Sequence, residues 1–461
     1  MIVMEKQSAL PAILAQGAVH SVYQPIVSLI QQRIVGYEGL CRGIDPETGG
    51  TVAPLVMFEE ASRLGMPVLR TGTAHPMRVG TQGDEMPHGY ARYETGCPSV
   101  ALDRLCRERC LAGFVPLLER DPACHLFLNV DASVIDTVAG SDYLLRQTDR
   151  FGIPHENIII EINEGRVHDI GPLVRFVERY RREGFLIALD DVGTGFSNLD
   201  RIALLEPDII KLDRSLITGI DQNPHKQAVF RCMVQLADKV GAISVAEGVE
   251  TEAELHAAIE SGVHLIQGFC FARPDAAERL EHPRILDRMQ LAAHTYRDGM
   301  AQKMARAQTY RHLLDRHVTM LGELLERAAS ADYEHLMADF AHQHAQAGVE
   351  CAFLLDVNGR QLTETVFGCR PCHGKRHRGF VFQPTSKGAD NSLKKYYYEL
   401  MHAQIGRYVS DPYISQATGS VCVTFSRILS TPAGQRMVLC VDIVQEADGC
   451  QDTEHWALPG A

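Results

Sequence analysis

The chain has 461 residues, of which 45% are hydrophobic and 22% charged. This balance is typical of globular proteins and excludes a fibrous or largely disordered chain, and the length predicts two or three domains. The formal net charge of -13 argues against binding to a nucleic-acid polymer, which requires a basic face to neutralise phosphates.

The first 19 residues lack the basic start, apolar centre and small-residue cleavage site of a signal peptide. The sequence also contains no uncharged apolar run of about 18 residues. We therefore expect a cytoplasmic protein without a membrane span. Its 13 cysteines show no disulfide-scaffold spacing, so most are expected to be buried and reduced.

From residue 20 to about 274, short β-rich segments alternate with amphipathic helical segments such as 172–183 and 225–240. This alternation predicts parallel strands joined by crossover helices, and eight strands suffice for an α/β barrel. The predicted strands are 21–28, 34–40, 125–130, 157–162, 185–190, 208–211, 242–246 and 264–269.

Nearly every predicted strand ends in a polar residue: Glu38, Asn129, Glu161, Asp190 with Asp191, Lys211, Glu247 and Gln267. In an α/β barrel these ends converge on one rim. Several carboxylates at one mouth repel each other strongly, and a divalent cation removes that repulsion. Carboxylate and amide oxygens suit Mg²⁺ or Mn²⁺ better than Zn²⁺, which prefers His and Cys.

The adjacent Asp190 and Asp191 lie at the end of a predicted strand. On a continuing strand they would face opposite sides, but at a strand end the second can turn with the loop toward the same centre. One carboxylate could then bridge two cations about 3.5–4 Å apart, an arrangement used for in-line attack on a phosphodiester. The pattern therefore predicts phosphodiester hydrolysis.

The sequence contains a series of short motifs in a fixed order: YQPIV (23–27), YEGLCR (37–42), NVD (129–131), EINE (161–164), DDVGTGFS (190–197), IKLD (210–213), AEGVET (246–251) and QGF (267–269). This ordered set resembles the motifs of the EAL family, whose domain is a modified TIM (β/α)8 barrel that hydrolyses cyclic-di-GMP to linear pGpG. The resemblance covers residues 21–274.

The resemblance implies two Mg²⁺ or Mn²⁺ ions held by Glu38, Asn129, Glu161, Asp190, Asp191 and Glu247. It implies that Lys211 holds or activates the attacking water, so that Glu38, Lys211 and Glu247 are the catalytic residues. Arg42, Gln267 and Asp213 are implied to bind substrate or its water network. Glu164 and Glu250 are implied to position the loop 192–199.

Three departures from the family pattern accompany this resemblance. Gly39 replaces the usual alanine of the name motif, and Val192 stands where phenylalanine is usual. Residues 69–99, rich in Gly, Pro and His, are interpreted as an insertion between helical segments and are expected to form a surface loop or to be disordered. Two alternatives remain open: a cyclic-di-GMP receptor with weak or no turnover, and another metal-dependent TIM-barrel enzyme such as an aldolase or lyase.

After the barrel, residues 281–330 carry apolar residues at spacings of three and four, which predicts a long connector helix. This stripe fits either packing within the chain or a homodimer axis, and we expect a homodimer. The predicted domains are a barrel at 1–280, the connector helix at 281–330 and a C-terminal domain at 331–461.

The C-terminal pattern is α+β, with a helix at 332–346, a turn at Asn358-Gly359 and strands at 351–356, 361–367, 420–428 and 437–444. The aromatic run from Tyr396 to Tyr413 resembles that of PAS-like and Cache-like sensory domains. The resemblance implies regulation by an unidentified small ligand, with Lys394, Tyr397 and Asp411 as candidate contacts. The aromatics are equally suited to a core.

The segment Cys369-Arg370-Pro371-Cys372-His373 has the spacing of covalent haem attachment, and with His377 it could also hold zinc. Haem attachment requires an export compartment that nothing else in the sequence indicates, and no second cysteine pair lies nearby. An ordinary basic loop over 368–379 is the simpler interpretation.

Overall fold

The computed structural model describes residues 9–65, 97–130, 141–163, 170–193, 199–368, 384–403, 405–415, 417–431 and 434–444. They fall into two compact units, Met1–Arg297 and Asp298–Ala461. The expected insertion at 69–99 lies outside these residues except for its end, where a helix has already begun at Pro98. Among the described helices, none is long and apolar enough to cross a membrane.

Within its described residues, the first unit contains nine strands and nine helices, followed by the start of a tenth helix. The strands are β1 Val19–Ser28, β2 Arg33–Ile44, β3 Thr51–Val52, β4 His125–Val130, β5 Ile158–Asn163, β6 Leu186–Val192, β7 Ile209–Leu212, β8 Ile243–Ala246 and β9 Leu265–Gln267. The helices are α1 Leu10–Gln16, α2 Pro54–Gly65, α3 Pro98–Arg120, α4 Tyr143–Phe151, α5 Ile170–Arg182, α6 Leu199–Leu205, α7 Arg214–Ile217, α8 Pro224–Val240, α9 Glu252–Glu260 and α10 His282–Arg327.

Eight strands close a barrel in the order β1-β2-β4-β5-β6-β7-β8-β9, because β1 pairs with both β2 and β9, while β3 extends β2 outside the ring. The predicted barrel is therefore present, but its strands are not all parallel. β1 runs antiparallel to both of its neighbours. The four residues between β1 and β2 are too few for a crossover helix and allow only a hairpin connection.

One apolar side chain from each of seven strands fills the barrel interior: Ile26, Phe127, Ile159, Ala188, Ile209, Val245 and Leu265. A second, larger core lies between the strands and the surrounding helices. The strands are thus buried on both faces, which explains continuous apolar runs such as Ile158-Ile159-Ile160 in β5. Ile285, Met289 and Ala292 at the start of α10 also belong to this core, and the unit accordingly extends beyond residue 280.

The second unit contains an antiparallel sheet in the order β11-β10-β15-β14-β12, with β13 also paired to β14. Side chains of α10 and α11 pack on one face of the sheet, and those of α12 pack on the other. The elements are β10 Val349–Asp356, β11 Val366–Phe367, β12 Arg407–Val409, β13 Tyr413–Ile414, β14 Val421–Ser430, β15 Arg436–Val444, α11 Tyr333–Gln343 and α12 Lys395–His402.

The predicted strand at 361–367 is wrong over most of its length, since only Val366–Phe367 forms a strand. The side chain of Gln361 is buried and donates to the Thr363 carbonyl at 2.9 Å and the Thr365 hydroxyl at 3.0 Å. Such local side-chain bonds compete with a strand ladder, which explains the irregular backbone here. The Cys369–His377 motif lies outside the described residues.

Candidate functional site

A group of polar side chains lies directly above the apolar plug of the barrel. Asn129, Glu161, Asp190, Lys211, Glu247 and Gln267 each follow the plug residue of their strand by two positions. Because side chains alternate across a strand, each shares the inner face with its plug residue. We use the name rim cluster for these six residues together with Glu38 and Asp191.

Glu38 also faces the rim cluster, because its strand contains a β-bulge. It lies in the middle of β2 rather than at its end, contrary to the predicted strand bounds. Ile26 pairs with Gly36 while Val27 pairs with Ile34, so Val35 is the extra residue of a β-bulge. The bulge changes the alternation of side chains, and it turns Glu38 toward the rim.

Lys211 lies at the centre of the rim cluster, and only 1% of it is exposed. Its Nζ is 2.6 Å from Glu247 Oε1, 3.0 Å from Asp190 Oδ1 and 3.7 Å from Glu38 Oε1. It also forms an ion pair with the fully buried Glu161. One ammonium group therefore interacts with four carboxylates that come from four different strands.

Two amides link the carboxylates around this centre. Asn129 Nδ2 donates to Glu161 Oε2 at 2.8 Å and to Glu38 Oε1 at 3.2 Å. Gln267 Nε2 donates to Glu38 Oε2 at 2.5 Å, and its own Oε1 is buried without a hydrogen-bond partner. The site thus contains an amide oxygen whose bonding requirement the described residues do not meet.

Asp191 has a left-handed backbone, with φ of 57°, which is unusual for a residue other than glycine. This conformation ends the regular alternation of β6 and turns the second aspartate back toward the first. Oxygens of Asp190, Asp191 and Glu247 lie within 4.8 Å of one another, and Asn163 Nδ2 donates to Asp191 Oδ2. The sequence-based expectation that both aspartates face one centre is realised through this backbone turn.

Burial and mutual repulsion disfavour the ionised carboxylates. Burial raises the pKa of Glu161 well above its usual value, and Lys211 opposes the rise. Burial likewise raises the pKa of Glu247, and the pKa of Asp191 is raised by burial and then by Asp190. For Lys211, burial alone would lower the pKa, but the surrounding carboxylates raise it well above normal.

The donor set of the rim cluster fits a hard divalent cation. Five carboxylates face a single ammonium group, so the described side chains carry four excess negative charges when all are ionised. Bound cations would neutralise that excess, which burial and mutual repulsion make unfavourable. Asn129 presents its nitrogen to the carboxylates, and its amide must rotate for its oxygen to serve as a ligand.

The other predicted residues that the structure describes lie outside the rim cluster and have different hydrogen-bond or ion-pair partners. Arg42 follows Glu38 by four positions on β2, and its Nη1 donates to the Cys41 carbonyl at 2.7 Å. Asp213 caps α7 by accepting from the Ser215 amide at 2.7 Å. Glu250 pairs with Arg214 at 2.8 Å, whereas Glu164 and loop residues 194–198 lie outside the described residues.

Two polar residues beside the site were not singled out from the sequence. Gln24 is buried on β1 opposite Glu38 and accepts from Gln267 Nε2 at 3.2 Å. Arg214 lines a cavity of about 220 Å³ together with Glu38, Glu247 and Gln267. Gln24 was visible within the YQPIV motif, while Arg214 directly follows IKLD and could have been found there.

A second cavity of about 310 Å³ adjoins the site on the β2 side. Glu38 and Asn129 line its polar end, and Leu55, Phe58 and Cys106 contribute to its apolar wall. The rim cluster therefore has open space on both sides of Glu38.

The fold and the site together define a closed α/β barrel with an acidic rim centred on one buried lysine. Residues 99–274 match the family model described as EAL domain. β1 and β2, with Glu38, precede the matched segment.

Similarity to one bacterial protein extends over nearly the whole chain. The chain is 27% identical over 441 residues to the uncharacterized EAL-domain containing protein YkuI of Bacillus subtilis (strain 168), covering 93% of this chain and 95% of that protein. The crystal structure of YkuI in complex with substrate c-di-GMP and calcium has a TM-score of 0.72 at 24% identity, over 96% of this chain and 100% of that one. This structural likeness establishes the fold.

A second relative matches over about half of the chain. The probable cyclic di-GMP phosphodiesterase PdeG of Escherichia coli (strain K12) is 26% identical over 262 residues, which cover 56% of this chain and 45% of that protein. The similarity to YkuI therefore includes the second unit, whereas that to PdeG covers about half of each protein.

Proposed function

We propose that this chain is a phosphodiesterase that hydrolyses one 3′–5′ phosphodiester of cyclic-di-GMP to give linear pGpG. The observation that carries the proposal is the convergence of Glu38, Glu161, Asp190 and Glu247 on Lys211 at the carboxyl end of an EAL-family barrel. Named phosphodiesterases among the relatives of the barrel, such as PdeG, support the choice of reaction.

Two Mg²⁺ or Mn²⁺ ions would be held by Glu38, Asn129, Glu161, Asp190, Asp191 and Glu247. When bound, such ions lower the pKa of water and stabilise charge on phosphate oxygens. The buried and unpartnered Gln267 Oε1 supports this part of the proposal, because it can accept a hydrogen bond from water or substrate.

Lys211 would hold the attacking water in place. Its ammonium carries three protons and lies among four carboxylates at the centre of the site, so a hydrogen bond to water would replace one of its carboxylate contacts. The surrounding carboxylates raise the pKa of Lys211, which suits a protonated donor that stabilises developing negative charge.

Gln267 and Arg42 would bind the substrate. Gln267 is fixed by its bonds to Glu38 and Gln24, which holds its free oxygen toward the site. Arg42 shares a strand with Glu38, and its guanidinium can leave a single backbone carbonyl to contact a phosphate. Asp213 would act indirectly by capping α7, and Glu250 by holding Arg214 beside the substrate.

The second unit would regulate the barrel as a PAS-like sensory domain that binds a small ligand, and the chain would act as a homodimer. The full-length similarity to YkuI supports a conserved pairing of the two units in one chain. Lys394, Tyr397 and Asp411 stay candidate contacts, although Tyr397 OH already donates to the Val357 carbonyl and Asp411 pairs with Lys395.

The test is chromatographic detection of pGpG after incubation of cyclic-di-GMP with the full chain and Mn²⁺. We expect turnover by the wild type and its loss in Glu38→Ala, since that variant lacks a cation ligand. Glu252→Gln, an exposed position on α9, is the matched control. If the dinucleotide binds but stays uncleaved in a single-turnover experiment, the chain is a receptor and not an enzyme. If it does not bind at all, another TIM-barrel reaction is favoured.

A further inference from the structure

Three cysteines form one buried cluster beside the rim cluster, and the proposed reaction does not use them. Cys41 lies on β2, and Cys106 and Cys110 lie one turn apart on α3. The Sγ atoms of Cys41 and Cys110 are 3.4 Å apart, and Cys41 Sγ is 3.3 Å from the Cys106 carbonyl oxygen. All three are buried, and all three line the 310 Å³ cavity that reaches Glu38.

The thiol cluster contacts the backbone next to Glu38. A Cβ atom on Gly39 would lie 3.1 Å from Cys110 Sγ and 3.2 Å from Cys110 Cβ. α3 therefore packs directly over the residue that follows Glu38, and the missing side chain of Gly39 is what leaves space for Cys110. Cys41 itself is three residues from Glu38 on the same strand.

We propose that Cys41 and Cys110 are a redox-reactive pair that forms a disulfide with a peroxide oxidant and thereby slows the barrel's reaction. A disulfide requires the two sulfur atoms to approach to about 2.05 Å. The present separation must therefore shorten by more than 1 Å, which draws β2 and α3 together at Gly39.

The chemistry balances with hydrogen peroxide as the oxidant. The sulfur of Cys41 attacks one peroxide oxygen, so that an S–O bond forms, the O–O bond breaks and water leaves after proton transfer. The sulfur of Cys110 then attacks the sulfenic sulfur, so that the S–S bond forms and a second water leaves. Two thiols lose two electrons in total, and one peroxide is reduced to two waters.

The pKa directions of the three thiols assign the order in which Cys41 and Cys110 react. The hydrogen bonds between Cys41 and its two cysteine neighbours lower the pKa of the Cys41 thiol, whereas the pKa values of Cys106 and Cys110 are raised, first through their bonds to Cys41 and then by burial. Cys41 is accordingly the better nucleophile and Cys110 the resolving thiol. The adjoining cavity admits a molecule as small as peroxide.

The sequence allows the bond to be mapped without ambiguity. Trypsin, which cleaves after Arg and Lys, releases Cys41 in peptide 34–42, Cys106 in peptide 105–107 and Cys110 in peptide 110–120. Native full-length chain is treated with peroxide, blocked with iodoacetamide, digested without reductant and analysed by mass spectrometry. Blocking is done in denaturant, and alkylation of the buried Cys124 reports whether it was complete.

We expect the linked pair 34–42 with 110–120 in the wild type and in Cys106→Ser, and its loss in Cys110→Ser. Linkage of peptide 34–42 to 105–107, or oxidation of Cys41 without any linkage, would overturn the assignment. This readout does not depend on the enzymatic activity.

The effect on turnover rests on the proposed function. The disulfide should displace Glu38 by up to about 1 Å, and this displacement should reduce the rate of cyclic-di-GMP hydrolysis by about tenfold or more. Dithiothreitol should restore it, and Cys110→Ser should be insensitive to peroxide. Unchanged turnover in fully cross-linked protein would overturn the inhibitory role. Absence of turnover in reduced protein would instead reject the proposed function and leave the mapped bond intact.

Discussion

Lys211 Nζ lies 2.6 Å from Glu247 Oε1, inside a barrel where both side chains come from adjacent parallel strands. The pair is part of a larger arrangement in which one cation stabilises several buried carboxylates. Removing one partner from such a network leaves uncompensated charge, which costs much more than the net stabilisation of an exposed ion pair.

Lys211→Met should therefore destabilise the first unit by about 3–5 kcal/mol in the absence of divalent ions. Mn²⁺ should recover part of this loss, because it supplies positive charge to the same carboxylates. Urea unfolding of the full chain with EDTA or Mn²⁺ measures both effects. Lys239→Met, at an exposed position on α8, should change stability by less than about 0.5 kcal/mol; equal effects of the two substitutions would contradict the proposed network.

Mn²⁺ should stabilise the wild type against heat, since a ligand that binds only the folded state adds about 2.7 kcal/mol at a hundred times its Kd. Glu247→Gln should lose most of this stabilisation because Glu247 is close to both tandem aspartates. Glu252→Gln should retain it. Melting temperatures measured over a range of Mn²⁺ concentrations distinguish Glu247→Gln from Glu252→Gln. Identical curves for the two variants would exclude Glu247 as a ligand.

Asp191→Asn should raise the melting temperature without cations and lower it with cations, relative to the wild type. Asparagine tolerates the left-handed backbone at this position, and it removes the repulsion between Asp190 and Asp191. Since burial and Asp190 raise the pKa of Asp191, ionisation above that pKa destabilises the fold, so the variant should melt higher in EDTA at pH 7.

In Mn²⁺ the order should reverse, because Asp191→Asn lacks a ligand that the wild type offers. Asp200→Asn, an exposed position on α6, serves as the control and should follow the wild type in both buffers. A higher melting temperature for Asp191→Asn in Mn²⁺ as well would mean that Asp191 contributes no cation binding.

Gly39→Ala should be mildly destabilising, because its Cβ would lie 3.1 Å from both Cys110 Sγ and Leu126 Cδ1. The cost should fall in a Cys110→Ala background, where the sulfur is gone. A double-mutant cycle by urea unfolding should give a coupling of about 0.5–3 kcal/mol. Strict additivity would show that Gly39 is not required by Cys110.

Asp442 in the second unit should make stability fall with rising pH. Burial raises the pKa of this carboxyl to about 6, although hydrogen bonds from Thr424 and Tyr413 lower it in part. Between its unfolded pKa near 4 and about 6 the folded state binds more protons, so stability decreases over that range and stays lower above it.

Asp442→Asn removes this dependence while its side-chain oxygen can still accept both hydrogen bonds. The difference in unfolding free energy between variant and wild type should grow by up to about 3 kcal/mol from pH 4 to pH 7. Asp411→Asn, an exposed position, should show no such trend. A difference that is constant with pH would show that Asp442 has an ordinary pKa.

Much of the barrel and rim cluster could be predicted from the sequence because both follow from the two-residue period of strands. Asn129, Glu161, Lys211 and Glu247 all follow an interior apolar residue by two positions, and this relation is visible in the sequence itself. Glu38 was also predicted as a strand-end residue, but it lies in the middle of β2, and the bulge at Val35 that turns it inward has no local sequence signal.

Features that depend on packing between distant elements were not predictable in the same way. The thiol cluster joins β2 to α3 across a long intervening segment, so the spacing of Cys41 and Cys110 gives no indication that they meet. The antiparallel β1 could have been inferred from its short connection to β2, but the alternation of strands and helices elsewhere favoured a parallel assignment. At 361–367, buried side-chain hydrogen bonds replaced a strand that residue preferences favoured.

The most direct test of the central proposal is anomalous X-ray scattering from crystals of the full chain grown with Mn²⁺ and cyclic-di-GMP. We expect two anomalous peaks about 3.5–4 Å apart, in contact with oxygens of Glu38, Asp190, Asp191 and Glu247. A rim cluster without anomalous density, in which Lys211 keeps its four carboxylate partners, would contradict it.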